Sequence, residues 1–325
     1  MSKESAGFHA VPPLVDRYGR AVDYMRISVT DRCNLRCLYC MPEEGVQLIP
    51  HEKVLRYEEI LEVVRAARQL GFRRFRITGG EPLVRRGILW LLERLSGKGI
   101  DYSITTNGLL LARFARDLKR VGLERINVGL DTLKAARFKA VTKREGLHGV
   151  LRGIDAARAE GITKVKVNVV VMKGINDDEI EDFIEWARSL HLAIRFIEFM
   201  PVYYGDLFVS LGPHINRFRS RDDVETVQEH GGGPARSFRY MDGSGTVGFI
   251  MPRTEPFCRC CNRLRLTSDG MLLPCLFSKS GFDVREPLRR GDDITGVIIR
   301  AVQAKPEGHN LRMKLHGYGM HALGG

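Results

Sequence analysis

Through its first 200 residues the chain alternates short β-branched runs with longer helical patterns, which restricts it to a parallel-sheet α/β architecture. Six candidate strands stand out: YMRISVT (24–30), RFRIT (74–78), YSITT (102–106), RINVGL (125–130), KVKVNVVV (164–171) and IRFIEF (194–199). Helical segments separate them. In YEEILEVVRAARQLG (57–71), Ile60, Leu61, Val63, Val64, Ala67 and Leu70 supply an apolar face and Gly71 a C-terminal stop. DDEIEDFIEWARSL (177–190) reads the same way, with acidic residues in its first turn as the helix dipole favours. Strands joined by right-handed crossovers predict a full or partial barrel with its chemistry at the strand ends.

The unusual residues fall at those ends. A cysteine run follows the first strand, GGEP (79–82) the second, TNG (106–108) closes the third, LD (130–131) the fourth and Met200 the sixth. From Pro201 the alternation is lost. GGGPARS and DGSGTVG read as turns around short strands, which predicts an irregular extension laid against the barrel. The expected division is a barrel over 1–200 and an extension over 201–325.

Composition narrows the function classes. Hydrophobic residues make up 44% and charged residues 28%, as in a soluble globular protein. No apolar run is long enough to span a membrane, and MSKESAGFHAVPPLVDRYGR lacks the features of a signal or transit peptide, so a cytoplasmic protein is expected. In a reducing compartment seven cysteines favour metal ligation or catalysis over disulfides. The formal charge of +12 favours anionic partners without choosing among nucleic acid, membrane surface and phosphorylated small molecule.

VTDRCNLRCLYC places Cys33, Cys37 and Cys40 within eight positions, with no fourth thiol nearby. A cubane iron–sulfur cluster has four irons, so three thiolates leave one open. A structural zinc site is normally closed by four ligands and would need His51 or a distant group. GGEP alone could be an ordinary turn before a helix, although its glycines would also let the backbone approach a ligand. The pattern C-x3-C-x2-C, with Tyr39 before the third cysteine and GGEP downstream, resembles the radical S-adenosylmethionine superfamily. The resemblance implies a [4Fe–4S] cluster whose open iron chelates S-adenosylmethionine, giving on one-electron reduction a 5′-deoxyadenosyl radical.

A second group, FCRCCNRLRLTSDGMLLPC, holds Cys258, Cys260, Cys261 and Cys275. It reads either as an all-cysteine zinc knuckle or as a second three-thiolate cluster on Cys258, Cys261 and Cys275 with Cys260 a bystander. Arg263 and Arg265 alternate, so on an extended segment they share one side and suit a phosphate clamp, or merely solubilise the chain.

Together with RISVTDRCNLRCLYCMP, RFRITGGEPLVRR, SITTNGLLL, RINVGLD, VKVNVVVMKGINDDE, IRFIEFMP and the terminal Gly324–Gly325, this group resembles the GTP 3′,8-cyclase family of molybdenum-cofactor biosynthesis. The match runs from about residue 18 to the C-terminus and is weak only at 201–250. It implies an incomplete (β/α)6 TIM-type barrel with a C-terminal extension carrying a second [4Fe–4S] cluster, and conversion of GTP to 3′,8-cyclo-7,8-dihydro-GTP. On matching positions it implies that Cys33, Cys37 and Cys40 hold the catalytic cluster and Cys258, Cys261 and Cys275 the second. Tyr39, Gly80, Gly129 and Met200 would line the S-adenosylmethionine pocket, and Arg26, Arg76, Thr105, Lys166, Arg263 and Arg265 would hold GTP, with Arg74 and Arg195 joining the basic lining. Lys166 could instead be a surface lysine and Met200 a core side chain. A reducing electron donor and a cyclic pyranopterin monophosphate synthase acting downstream are further implied partners, with no nucleic acid and no membrane. The oligomeric state stays open, a homodimer included. Two departures stand out: Gly129 replaces the family's usual Ser, and Cys260 is an extra thiol. The Gly-Gly end, ordinarily a sign of disorder, matches a tail that enters the active site in that family. A peptide-modifying radical enzyme and a nucleic-acid-binding metal protein are the competing readings, and the latter lacks aromatic–basic interleaving.

Overall fold

The computed structural model describes residues 11–42, 44–200, 207–228, 233–278, 280–309 and 320–323. Six parallel strands form its centre: β1 (Tyr24–Ser28), β2 (Arg74–Thr78), β3 (Asp101–Thr106), β4 (Arg125–Gly129), β5 (Lys164–Val171) and β6 (Ala193–Glu198). They follow one another in sequence order, as short right-handed crossovers dictate. β5 shows how sequence sets the faces. Val165, Val167, Val169 and Val171 are buried in the core, whereas Lys166, Asn168 and Val170 alternate onto the opposite face and line a cavity. The core itself lies between sheet and helices, where Ile27, Ile77, Ile104, Ile126, Val167 and Phe196 join one apolar cluster with side chains such as Ile60, Leu92 and Phe183.

The extension departs from the sequence expectation. It adds β7 (Val224–Val227), β8 (Arg236–Tyr240), β9 (Thr246–Ile250), β10 (Arg263–Leu266), β11 (Met271–Leu273) and β12 (Phe282–Asp283). Rather than lying against the barrel, these strands continue its sheet on both sides. β9 pairs parallel to β6, β10 pairs parallel to β1, and the order is β12-β11-β10-β1-β2-β3-β4-β5-β6-β9-β8-β7. The physical reason is that β1 and β6 would otherwise expose unpaired backbone donors and acceptors, which the extension satisfies. The helix expected over 177–190 starts as a 3-10 turn at Asp177–Glu179 and continues as an α-helix over Ile180–Ser189. No helix among the described residues is long and apolar enough to cross a membrane.

Candidate active site

A cavity of about 460 Å³, a size suited to a small ligand, runs along the sheet face that carries Arg26, Lys166 and Asn168. Topology places the two cysteine groups at its two ends. Cys33, Cys37 and Cys40 follow the C-terminal end of β1, and Cys40 reaches the cavity wall. Cys261 precedes β10, which is parallel to β1 with Arg263 beside Tyr24, so it lies at the opposite edge. β11 runs antiparallel to β10 and returns Cys275 to that same edge. Cys258, Cys261 and Cys275 line the cavity, while Cys260 is exposed and sits in a separate surface hollow with Arg259 and Asn262.

Between the ends lies a row of guanidiniums. Strand register sets Arg265 beside Arg26 and Arg26 beside Arg76, and one rung away Arg263 beside Tyr24 and Tyr24 beside Arg74. Adjacent strands are only about 4.8 Å apart, so this stacks like charges side by side. Burial, together with Arg265, holds Arg26 well below its ordinary pKa, and burial with Arg263 pulls Arg265 down to about 10. The Tyr24 ring is shared by Arg74, Arg76 and Arg263, whose guanidiniums lie 5.6, 5.6 and 5.9 Å from its centroid. Burial raises the Tyr24 phenol, but Arg76, Arg26, Arg263 and Arg265 outweigh it and the net shift is downward. Glu198, the carboxylate among the described lining residues, is already taken by Arg253 and Thr254 backbone N–H groups and the Thr254 hydroxyl. The Tyr24 and Thr105 hydroxyls and Arg76 Nε are buried with no hydrogen-bond partner among the described residues. Such a lining is unfavourable until an anion enters.

The cysteine run is a loop set by its neighbours. Cys40 N–H donates to the Cys37 carbonyl at 2.9 Å, and Arg36 and Leu38 N–H donate to Thr142 and Val141 at the end of the Ala135–Thr142 helix. Glu81 fastens it from below. Its carboxylate is fully buried and accepts from Thr106 Oγ1 at 2.8 Å, Asn107 N at 2.6 Å and Leu83 N at 3.0 Å. Asn107 then donates through Nδ2 to Asn34 Oδ1 at 2.8 Å and approaches Cys33 Sγ at 3.7 Å. Tyr39 donates to Asp131 at 2.8 Å, and Asp131 also accepts from Val170 N. Burial pushes Glu81 up to about 7 and Asp131 up to about 6, with their hydrogen bonds opposing it. It also raises the Cys33, Cys37 and Cys40 thiols, so these become thiolates only when a metal supplies the compensating charge.

Gly80 lies under this loop, off the cavity wall. Its backbone N–H donates to the Thr30 carbonyl at 2.6 Å, and a Cβ there would stand 2.3 Å from the Arg32 carbonyl oxygen. The GGEP glycines therefore let two pieces of backbone touch, where the sequence suggested room for a ligand. Gly80→Ala is expected to destabilise the chain by about 1–3 kcal/mol by overpacking. It should also lower the iron that the reconstituted chain takes up, which denaturant melts and iron counting would check.

At the far edge, burial opposes ionisation of Cys261, but Lys305 and Arg263 pull its thiol below the usual range. Cys258 is raised by burial. No three His, Cys, Asp or Glu side chains among the described residues gather closely enough to hold a single metal ion. A cubane spreads its thiolates over separate irons, and both triads present half-buried cysteines at a cavity end, so their donor chemistry fits such a group. Cys260, turned away, leaves the second set at three.

Residues 27–187 match the family model of the radical SAM superfamily and residues 192–311 that of Molybdenum Cofactor Synthesis C. A GTP 3′,8-cyclase from Thermodesulfovibrio yellowstonii is 48% identical over 304 residues, covering 90% of this chain and 94% of that one. One from Heliobacterium modesticaldum is 47% identical over 310 residues, covering 92% and 95%. The chain belongs to the GTP 3′,8-cyclase family. Among solved structures, Streptococcus suis SuiB bound to S-adenosylmethionine matches with a TM-score of 0.61 at 15% identity, over 87% of this chain and 68% of that one, a likeness of fold.

Of the residues that sequence singles out, Arg26, Tyr39, Arg74, Arg76, Thr105, Gly129, Lys166, Arg195, Met200, Arg263 and Arg265 all line the cavity. Gly324 and Gly325 lie outside the described residues. At Gly129, which ends β4, an added Cβ would meet nothing nearer than the Thr106 carbonyl oxygen at 4.0 Å. The family's usual serine therefore has room here. Gly129→Ser is expected to leave the fold intact or gain about 0.5 kcal/mol, since glycine weakens a strand, and to bind S-adenosylmethionine at least as tightly. Thermal melts and equilibrium binding would check both. Sequence reasoning missed Tyr24, Ser103, Asn168, Lys305 and His309 on the wall, and the Glu81–Asn107 link beneath the loop. The asparagine of TNG and the acid of GGEP were visible as motifs, but nothing local joined them.

Proposed function

We propose that this chain is the radical S-adenosylmethionine lyase that converts GTP to 3′,8-cyclo-7,8-dihydro-GTP, the first step of molybdenum-cofactor biosynthesis. One observation carries the reading: an in-register row of buried and half-buried guanidiniums lies between two cysteine triads at opposite ends of one cavity. Cys33, Cys37 and Cys40 would hold one [4Fe–4S] cluster, and Cys258, Cys261 and Cys275 a second in the extension over 201–325. When bound, the first cluster with S-adenosylmethionine supplies the 5′-deoxyadenosyl radical that takes the hydrogen atom from ribose C3′. Bond formation from C3′ to guanine C8 then needs one more electron and a proton to give the product.

The protein's share is placement. Arg26, Arg76, Arg263 and Arg265, with Lys166 and the Thr105 hydroxyl, bind the triphosphate and ribose, exchanging mutual repulsion for charge-assisted hydrogen bonds. Tyr39, held by Asp131, and Gly129 and Met200 form the wall against S-adenosylmethionine, and Gly80 shapes the loop behind them. Apolar walls such as Phe199, Phe257 and Ile197 keep water from a reactive carbon. An external reductant supplies electrons, a cyclic pyranopterin monophosphate synthase takes the product, and the division at residue 200 separates the barrel from the extension.

Metal analysis tests the cluster assignment. After anaerobic reconstitution the wild-type chain should bind about eight irons and no zinc, and alanine variants of either triad about four. Zinc at the Cys258, Cys261 and Cys275 site would sink it.

A further inference from the structure

One short stretch, Lys305 to His309, touches two of the three thiols at the far edge of the cavity. His309 Nδ1 lies 2.8 Å from Cys258 Sγ, and the His309 backbone N–H donates to the same sulfur at 3.4 Å. Its ring stacks on Phe277, two residues beyond Cys275, with centroids 5.5 Å apart and planes 21° apart. Lys305 is only 2% exposed, and its Nζ donates to the carbonyls of Arg263 at 2.6 Å and Pro274 at 3.1 Å and reaches Cys261 Sγ at 3.7 Å.

The stretch is held in place from the other end of the chain. Arg20, paired with the buried Asp16 at 2.6 Å, donates to the carbonyls of Pro306 at 2.7 Å, Glu307 at 3.1 Å and Cys258 at 2.8 Å. One guanidinium thereby fixes the distance between the donors and the sulfur they face. Three of these contacts end on a thiol sulfur, and two more on the Cys258 and Pro274 carbonyls, of a cysteine and next to one.

We infer that the 305–309 segment sets the reduction potential of the iron–sulfur centre on Cys258, Cys261 and Cys275, with His309 and Lys305 as positioning residues that donate to two of its sulfurs. The inference rests on the reading that these cysteines hold a cluster. Hydrogen bonds and positive charge at ligand sulfurs favour the more negative, reduced state and so raise the potential. On a metal-bound thiolate, His309 serves as donor when its proton is on Nδ1. A higher potential lets a given external reductant keep this centre in its reduced state, so that it holds an electron ready, at the cost of a smaller driving force for passing that electron on.

The test uses the full-length chain with Cys33, Cys37 and Cys40 replaced by alanine, so that any remaining cluster is the second one. Iron is counted first, then the midpoint potential is read by electron paramagnetic resonance during a reductive titration. His309→Phe keeps the stacking on Phe277 but loses the ring donor, and should make reduction at least tenfold less favourable, a fall of about 59 mV for one electron. His309→Asn, which keeps a donor near the Nδ1 position, should restore most of it. Lys305→Met should lower the potential further, but it also removes two backbone contacts, so the histidine pair carries the decision. An unchanged midpoint in His309→Phe with about four irons retained would overturn the inference. So would nitrogen coupling in the wild-type spectrum showing the imidazole bound directly to iron. An iron-free triple-alanine parent would instead overturn the cluster reading, and this inference with it.

Discussion

Arg76→Met is expected to weaken GTP binding by about 2–4 kcal/mol, roughly 30- to 1,000-fold, while leaving the unliganded protein as stable as before or more so. Arg76 sits beside Arg26 in register, its Nε is buried without a partner among the described residues, and its guanidinium shares the Tyr24 ring with Arg74 and Arg263. Without ligand it is a half-buried cation, its Nε shut off from solvent, among other cations. Replacing it with an uncharged side chain of similar length removes that repulsion, so the unliganded fold loses nothing by the change. In the liganded state the same change deletes a charge-assisted contact to phosphate. The two effects have opposite signs, and that separates a binding residue from a structural one. Equilibrium binding of GTP and thermal melts with and without GTP would measure them, with the iron content expected to stay constant. A drop in unliganded stability with unchanged GTP affinity would contradict the assignment. Inorganic triphosphate should raise the wild-type melting temperature more than that of the variant, because it relieves the same repulsion.

Glu81→Ala should have the largest effect on the fold near the first cysteine triad, a loss of about 2–5 kcal/mol. Alanine leaves the Thr106 hydroxyl and the Asn107 and Leu83 N–H groups facing an apolar gap, each costing part of a desolvation penalty. Asn107 would then no longer be held against Asn34 and Cys33, so iron at that triad should fall as well. The wild-type residue also fixes a pH dependence. Its folded pKa of about 7 lies above the ordinary glutamate value of 4.5, so the folded state binds more protons than the unfolded state between those limits. Its contribution is therefore present below about pH 4.5 and is lost as pH rises towards 7. Asp131, raised to about 6 from 3.8, adds the same sign over a lower window. Denaturant melts of the metal-free chain from pH 4 to 8 should show this decline, and it should flatten in an Asp131→Asn, Glu81→Gln double variant.

How far the sequence reached depended on whether the information was local. β2 and β5 were legible to the residue, because RFRIT and KVKVNVVV are compact β-branched runs bounded by Arg, Gly and Met-Lys-Gly segments. The grouping of Cys33, Cys37 and Cys40 was legible because all three lie in one loop, whereas Cys275 joins Cys258 and Cys261 only through the pairing of β10 with β11. Arg26, Arg76 and Arg265 could be named by motif, yet their position side by side depends on the pairing of strands separated by some fifty and more than two hundred residues. The extension was misjudged for the same reason. Nothing in TVGFI or RLRL says that each will extend an edge of a distant sheet, since that choice belongs to the unpaired edges of β6 and β1. Arg20, Lys305 and His309 carried no signal at all, because a buried salt-bridged arginine in a turn near the N-terminus reads as surface charge until its partners near residue 306 are known.

The most direct test is anaerobic turnover of the reconstituted protein with S-adenosylmethionine, a strong reductant and GTP, following 5′-deoxyadenosine by chromatography and the C3′–C8 connectivity of the nucleotide by nuclear magnetic resonance, because the product is an isomer of GTP. The account predicts 5′-deoxyadenosine whose formation depends on GTP, together with a nucleotide of unchanged mass in which C3′ is joined to C8. Unaltered GTP, or 5′-deoxyadenosine made equally well without it, would contradict the account.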